Sequence, residues 1–397
     1  MKHTTVFGMF MLALALLFGI FNISCQKRAE VQSLSEPPGP DFVSLFNGKD
    51  LTGWHIEPDS GAWVVRDGVL HCKGKPRGGY LLLTDKEYEN FDFYAEFKIS
   101  KGGNSGIFFH APIAGAGRES RLGFEVQIID DAGKEPNKNS TGSIYDQVAP
   151  KKNAMRPAGE WNQYRVLFDW PNCKVWLNGE LVQDVDFSRH RILRYRLRRG
   201  YIGLSNHGDE VDYRNLWIKE LPDKENARIL FNGKDLSGWE KIGNADWHVK
   251  DGMIVATRGE GYLVTKDEFD AYHFMAYVEN NTSQSRGGCF YYRWKSVVDP
   301  GYSAEFFDFP KAEKIMAKYK EERPRGQVAP LWHYKWIPYQ IISGDRESQV
   351  RTSGYITSNN LLLNKVRPGK IAIYHSPIDG VLRIKLVKLT EMEWRGL

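Results

Sequence analysis

The sequence predicts an all-β protein built from two copies of one β-sandwich or barrel, and three observations carry that prediction. The 397-residue chain alternates apolar and polar residues in many short runs, it is rich in turn-forming and aromatic residues (38 Gly, 12 Trp, 19 Tyr, 21 Phe), and it repeats its own motifs at long range. Alternation at period two is the mark of a half-buried strand, and many short strands with turn signals between them make a sandwich or barrel. Hydrophobic residues at 42% and charged residues at 26% are ordinary globular proportions, which exclude collagen, wholesale disorder and a multi-span membrane architecture. A net charge of +5 asks for neither nucleic acid nor an acidic membrane as partner.

The N-terminus reads as an address. Met1-Lys2-His3 precedes an apolar run from Val6 to Ile20, followed by Ser24-Cys25. A basic start, a short apolar core and a small residue before the break make a secretory signal. Cys25 after Ser24 resembles the lipidation box of bacterial lipoproteins, with Asn22 where an aliphatic residue is usual. Residues 1–25 are therefore expected to be a lipoprotein-type signal peptide whose Cys25 is lipidated, and the Pro-rich 26–40 a flexible tether. The expected location is the cell envelope, periplasm or outer membrane, with the membrane reached through the lipid anchor. Cys72, Cys173 and Cys289 form no metal-binding spacing and read as small buried residues.

The repeat sets the domains. Phe46-Asn47-Gly48-Lys49-Asp50-Leu51-Thr52-Gly53-Trp54 returns at Phe231–Trp239, an offset of 231−46 = 185. Trp63–Gly68 returns at Trp247–Gly252 with offset 184, and Gln147–Pro150 at Gln327–Pro330 with offset 180. A slowly drifting offset means a tandem duplication with loop deletions, over residues 41–222 and 226–397, joined at Leu221–Glu225. Each copy is long enough to close its own core. Within a copy, Phe91–Ile99 alternates cleanly, and Tyr164–Phe168 and Lys174–Leu177 less so. Asp67-Gly68 and Asn178-Gly179 mark hairpins. The one predicted helix is Lys311–Arg323, ended by Pro324.

The opening motif is followed in order by WVVRDG, NSGIFF (Asn104–Phe109), FEVQIIDD (Phe124–Asp131), TGSIY (Thr141–Tyr145), GEWN (Gly159–Asn162), LNG (Leu177–Gly179) and HGDEVDYRNLWI (His207–Ile218). This series closely resembles the 3-keto-disaccharide hydrolase domain family, also described as 3-keto-glucoside 1,2-lyase and 2-hydroxyglucal hydratase. The resemblance covers nearly all of 41–222 and, more loosely, 226–397. It implies two concanavalin A-like jelly rolls with a sugar-facing sheet. It also implies a carbohydrate substrate carrying a ketone at C3, supplied by a sugar 3-dehydrogenase acting upstream.

Taken alone, the Phe124–Ile129 strand reads as an ordinary solvated face carrying Glu and Gln; the resemblance implies that this face is the sugar site, with the following roles. In Phe124–Ile129 the side chains of Glu125 and Gln127 share one face, while Phe124, Val126 and Ile128 take the other. An acid and an amide together suit a sugar, since hydroxyls want planar bidentate partners and proton transfer wants a carboxylate. Glu125 or His207 is the candidate base. Gln127 and Asn104 are read as holding the keto-sugar, with His110 and Tyr145 as further sugar contacts, and Asp130 as acid or metal ligand. Relatives often carry Arg at the His110 position. No cofactor is called for, although Glu125, Asp130 and His207 would be the ligands of a divalent metal if one stabilised an enolate. Arg214 is read as a structural ion-pair partner, and Trp54, Trp63, Trp161 and Trp176 as core.

The second copy has drifted. Aligning Gly301–Asp308 on the FEVQIIDD strand puts Ser303 at Glu125, Glu305 at Gln127 and Asp308 at Asp130, which reads as a binding copy, with a second active centre on Glu305 as the alternative. The basic run Arg189–Arg199 reads as a solvated or lipid-facing loop. A non-catalytic carbohydrate-binding lipoprotein is the competing reading of the whole chain. A glycosidase with two catalytic carboxylates fits less well, because Gln127 interrupts the acid pair.

Overall fold

The computed structural model describes residues 36–56, 61–74, 81–113, 119–279, 288–306, 335–344, 347–352, 355–361, 368–376 and 381–392. The signal segment with Cys25, most of the tether, the Lys311–Arg323 helix, Asp308 and the Gln327–Pro330 repeat lie outside the described residues.

The first copy is an eight-stranded antiparallel sheet packed on a five-stranded one. The larger sheet runs Glu180–Asp186, Asn172–Leu177, Asn162–Asp169, Asn90–Ile99, Val211–Leu221, Val69–Cys72, Trp63–Arg66, with Val43–Ser44 also pairing Val211–Leu221. The smaller runs Trp54–Ile56, Leu82–Tyr88, Gly200–Leu204, Asn104–Ala111, Phe124–Ile129. Alternation decides which side chains meet between them. Phe91, Phe93, Phe97, Tyr164 and Phe168 from the larger sheet share one core with Ile107, Phe109, Phe124, Val126 and Leu204 from the smaller. The second copy repeats the plan, with eight strands over five and its own core around Phe274, Phe290, Tyr339 and Ile373. The predicted hairpins are present, with positive φ at Asp67, Gly68, Asn178 and Gly179, as two-residue turns require. Cys72, Cys173 and Cys289 are buried and form no disulfide among the described residues.

The repeated opening motif turns out to be a fold-closing turn. Asn47 Oδ1 accepts from the Lys49 and Asp50 amides, and Asp50 Oδ1 accepts from the Thr52 amide at 2.9 Å. Trp54 Nε1 donates to the Leu45 carbonyl at 2.6 Å. Asn232, Asp235 and Trp239 make the same bonds in the second copy. Arg214 donates to Glu96 at 2.6 Å, and Arg383 pairs with Glu279 at the matching place.

Three readings change. His110 is not on the sugar-facing side. It sits at a positive φ of 53°, and its ring enters the core against Phe91, Phe124 and Phe168, the last at 4.7 Å between centroids. Its Nε2 meets the Glu89 carbonyl at 2.8 Å. Arg293 holds the same bulge in the second copy, with φ 55° and a bond to the Asp270 carbonyl. This position ties a strand end across the sandwich, which is a structural job that both His and Arg perform. The basic run is not a solvated loop either. Leu193, Tyr195 and Leu197 are buried, Leu193 in the first core and Leu197 with Met275, Tyr277 and Trp336 of the second copy. Gln340 donates to the Tyr195 carbonyl at 3.2 Å. The alternating apolar residues in the run drive it into the seam, and the arginines follow. Trp161 and Trp176 lie outside the core. Arg214 stacks on Trp161 at 4.0 Å and Arg165 on Trp176 at 4.8 Å.

The joint is clamped. Glu89 Oε1 accepts from the Lys224 and Glu225 amides at 2.8 Å each and from Arg198 at 3.2 Å. Asn90 Nδ2 bonds the Pro222 carbonyl at 2.8 Å, and Glu225 pairs with Lys388 at 3.0 Å.

Burial gives the fold an acid limit. Desolvation pushes the pKa of His110 and of His273 down to about 4 from 6.5. Both rings are neutral in the fold and protonate more readily when unfolded. Their contribution is therefore fully present above 6.5 and lost as pH falls towards 4, at up to about 3 kcal/mol each. Urea unfolding is expected to show stability dropping through that window, and His110→Phe to flatten the slope. An unchanged slope in the variant would remove His110 from the account.

Candidate functional site

The outer face of the first copy's five-stranded sheet sets a group of polar residues beside a buried apolar cluster of Leu81, Leu83 and Phe108. Register places Phe108 opposite Glu125, Gly106 opposite Gln127 and Asn104 opposite Ile129. Beyond Phe124–Ile129, the segment around Ile144 adds a further short rung. Ile144 bridges Val126, the Gln127 amide donates to the Ser143 carbonyl, and the Tyr145 amide donates to the Glu125 carbonyl at 3.0 Å. Because Ile144 points into the core, Ser143 and Tyr145 point to the other face, beside Gln127 and Glu125. Neighbours across paired strands lie about 4.5–5.5 Å apart at Cβ, so these four side chains form one patch.

Glycine makes the patch possible. A Cβ at Gly106 would stand 2.2 Å from Glu125 Oε1 and 3.0 Å from its Cγ and Cδ. The Glu125 side chain therefore lies flat across Gly106, where any larger residue would lift it. Glu125 and Gln127 are 4% and 3% exposed, so the acid and the amide are held rather than loosely solvated. Gln127 Oε1 accepts from the Ile128 amide at 3.1 Å, which fixes the side-chain amide. The buried Asn104 Oδ1 and Ser143 Oγ meet no hydrogen-bond partner among the described residues. Buried polar atoms rarely stay unmatched, and a ligand rich in hydroxyls is the natural complement.

The remaining candidates separate. Asp130 accepts from the Gly102 amide at 2.8 Å, locked into the turn that precedes Asn104. It is five residues from Glu125 along an extended strand, roughly 16 Å at 3.3 Å per residue, so the pair cannot act on one bond. His207 lies in the loop whose Asp209 accepts from the Asn104 amide at 3.0 Å. Among the described residues no three His, Cys, Asp or Glu side chains come close enough to hold a metal ion. Glu125, Asp130 and His207 thus do not form the ligand set their sequence positions suggested. The sequence pattern does not single out Gly106, Ser143 or Arg121, whose guanidinium is 3.9 Å from Asp146 next to Tyr145. Gly106 and Ser143 lie inside NSGIFF and TGSIY, but only the register shows what they face.

The second copy shows what that face becomes without the acid. Tyr291 pairs with Ser303 and Cys289 with Glu305, so Ser303 stands at the Glu125 position and Cys289 at the Gly106 position. Glycine and carboxylate have been lost together. Beside Ser303 and Cys289, Tyr262, Tyr291 and Tyr374 form a half-exposed aromatic tile, with the Tyr262 and Tyr374 rings 5.0 Å apart and Tyr374 donating to Glu260 at 2.7 Å.

Known proteins place the chain. It is 28% identical over 244 residues to the 3-keto-disaccharide hydrolase of Bacteroides thetaiotaomicron, covering 49% of this chain and 84% of that one. A solved candidate glycosyl hydrolase of Parabacteroides distasonis is 28% identical, over 46% of this chain and 94% of its own, with a TM-score of 0.41. A second from the same organism is 30% identical, over 46% of this chain and 84% of its own, with a TM-score of 0.36. Residues 41–219 and 226–381 both match the 3-keto-alpha-glucoside-1,2-lyase-like domain, and the chain belongs to that family.

Proposed function

We propose that this carbohydrate-active protein is a glycosidase-type enzyme whose first copy cleaves 3-keto-glycosides by elimination and hydration. The observation that carries the reading is the buried Glu125 laid across Gly106 beside Gln127, Ser143 and Tyr145. A ketone at C3 makes the C2 proton acidic. Glu125 takes that proton, and the C2–H electron pair enters the enolate. The Gln127 NH2 group and Asn104 hold the sugar and donate to the oxygen where charge gathers. As the enolate collapses, C3=O re-forms, a C1=C2 double bond forms and the C1–O bond breaks. The leaving oxygen takes a proton from Tyr145, the polar group next to Glu125 on the face. Water then adds at C1 and a proton returns to C2, so the sum is hydrolysis. No step is routed through a metal.

The test is to give the purified protein a 3-keto-glucoside and its unoxidised parent. Enone absorbance and released aglycone from the keto-sugar alone are expected. Equal release from the parent would make it an ordinary glycosidase, and binding without release would make it a lectin.

The second copy is read as a carbohydrate-binding domain, because Ser303 provides no base while the three tyrosines offer faces on which a sugar ring stacks. The protein is proposed to work in the cell envelope, anchored through lipid on Cys25, downstream of an enzyme that oxidises C3. Cys25→Ala is expected to release it from membranes into the soluble envelope fraction, and a variant still sedimenting with membranes would end the anchor proposal.

A further inference from the structure

The seam between the copies contains a cleft of about 260 Å³ that the reaction above does not use. Its walls come from both copies. Glu87, Leu197 and Arg199 come from the first copy, and Met275, Tyr277 and Lys388 from the second. This space is slightly below the usual range for drug-sized ligands, which begins at about 300 Å³, and suits a single small ring.

We propose that this cleft is a second sugar site, taking a neutral hexose-sized polyol. Three features of the lining fit that class. Glu87 turns into the cleft half-buried and makes no hydrogen bond to the described residues, leaving both carboxylate oxygens as acceptors for a pair of hydroxyls. Arg199 and Lys388 supply the donors, each already steadied by a carboxylate, Asp223 and Glu225 respectively. Met275, Tyr277 and Leu197 are buried and give an apolar wall for the ring's C–H face. Charge rejects an anion, since Glu87, Glu89, Asp223 and Glu225 outnumber Arg199 and Lys388. Burial pushes the Glu87 pKa up against the pull of Lys388 and Arg199. The clamped joint holds the walls at a set distance, so the site is preorganised. It belongs to the pair, because neither copy contains both walls.

The experiment is calorimetric titration of the full chain with D-glucose, and with gluconate as the anionic control. Glucose is expected to bind and gluconate not. Glu87→Ala is expected to weaken glucose at least about tenfold, the loss of charge-assisted hydrogen bonds, while turnover of a 3-keto-glucoside stays unchanged. Ile229→Trp, placed at the 65% exposed rim, tests the same point without touching a core and is expected to block the cleft. Glucose binding that survives both substitutions, or that disappears in Glu125→Gln instead, would overturn the proposal. So would the absence of any glucose binding. The keto-glycoside reaction is read separately, by turnover in Glu125→Gln.

Discussion

Glu125→Gln is expected to lower kcat for a 3-keto-glucoside by about 10²–10⁴, the usual contribution of a positioned general base. The substitution keeps volume, packing over Gly106 and at least one acceptor, so KM is expected to change little. It removes only the ability to take the C2 proton. A kcat loss with unchanged KM is the signature of an interaction made in the transition state. Proton exchange at C2 gives a second readout. In heavy water the wild type is expected to exchange the C2 hydrogen of a bound keto-sugar, and the variant is not. If Glu125→Gln retains full turnover, or if His207→Ala abolishes exchange while Glu125→Gln does not, the base is His207 and the patch has been assigned to the wrong end.

Gly106→Ala is expected to cost nearly as much activity while sparing the fold. The added Cβ would meet Glu125 Oε1 at 2.2 Å. That atom is the tip of a flexible side chain, so Glu125 moves and the strands stay. Gly106 also has no positive φ, so alanine is tolerated by the backbone. The expected pattern is a melting point close to wild type with kcat lowered by roughly 10²-fold, the scale of an ångström-sized misplacement. Coupling separates this from a general disturbance. The double variant Gly106→Ala/Glu125→Gln should be little worse than Glu125→Gln alone, since both act on one carboxylate. Additive losses would mean that Gly106 acts through something else. The second copy has already made the equivalent exchange, with Cys289 and Ser303 replacing the glycine and the acid together.

Much of the architecture was legible because it depends on local pattern. Alternation in Phe91–Ile99 announced which side chains enter the core, and the Asp-Gly and Asn-Gly pairs announced the hairpins. The duplicated FNGKDLTGW run marked the second copy before any strand was placed. The Glu125–Gln127 face was legible for the same reason, since strand geometry alone sorts odd from even positions. What one strand cannot say is what lies across from it. Asp130 looked like a partner because it is near in sequence, yet an extended chain carries it away from Glu125 and into the Gly102 turn. His110 looked like a site residue because it ends a strand of the site, yet a bulge turns it inward. The basic run looked like surface because its charges are conspicuous, while its buried leucines and tyrosine decide where it packs.

By itself, then, the chain's order of residues determined the strands, the duplication, the family likeness and the side of one strand on which an acid and an amide meet. Only the folded molecule decided that Ser143 and Tyr145 complete the patch, that Gly106 makes room for the acid, and that the two copies are clamped around a shared cleft. The division follows from range. Strand faces and turns are set by neighbours two to four residues apart, which the linear order contains. The contact of the Glu125 side chain with Gly106, or the meeting of positions 87 and 388 at one cleft, rests on register and on the packing of whole sheets, which no local pattern encodes.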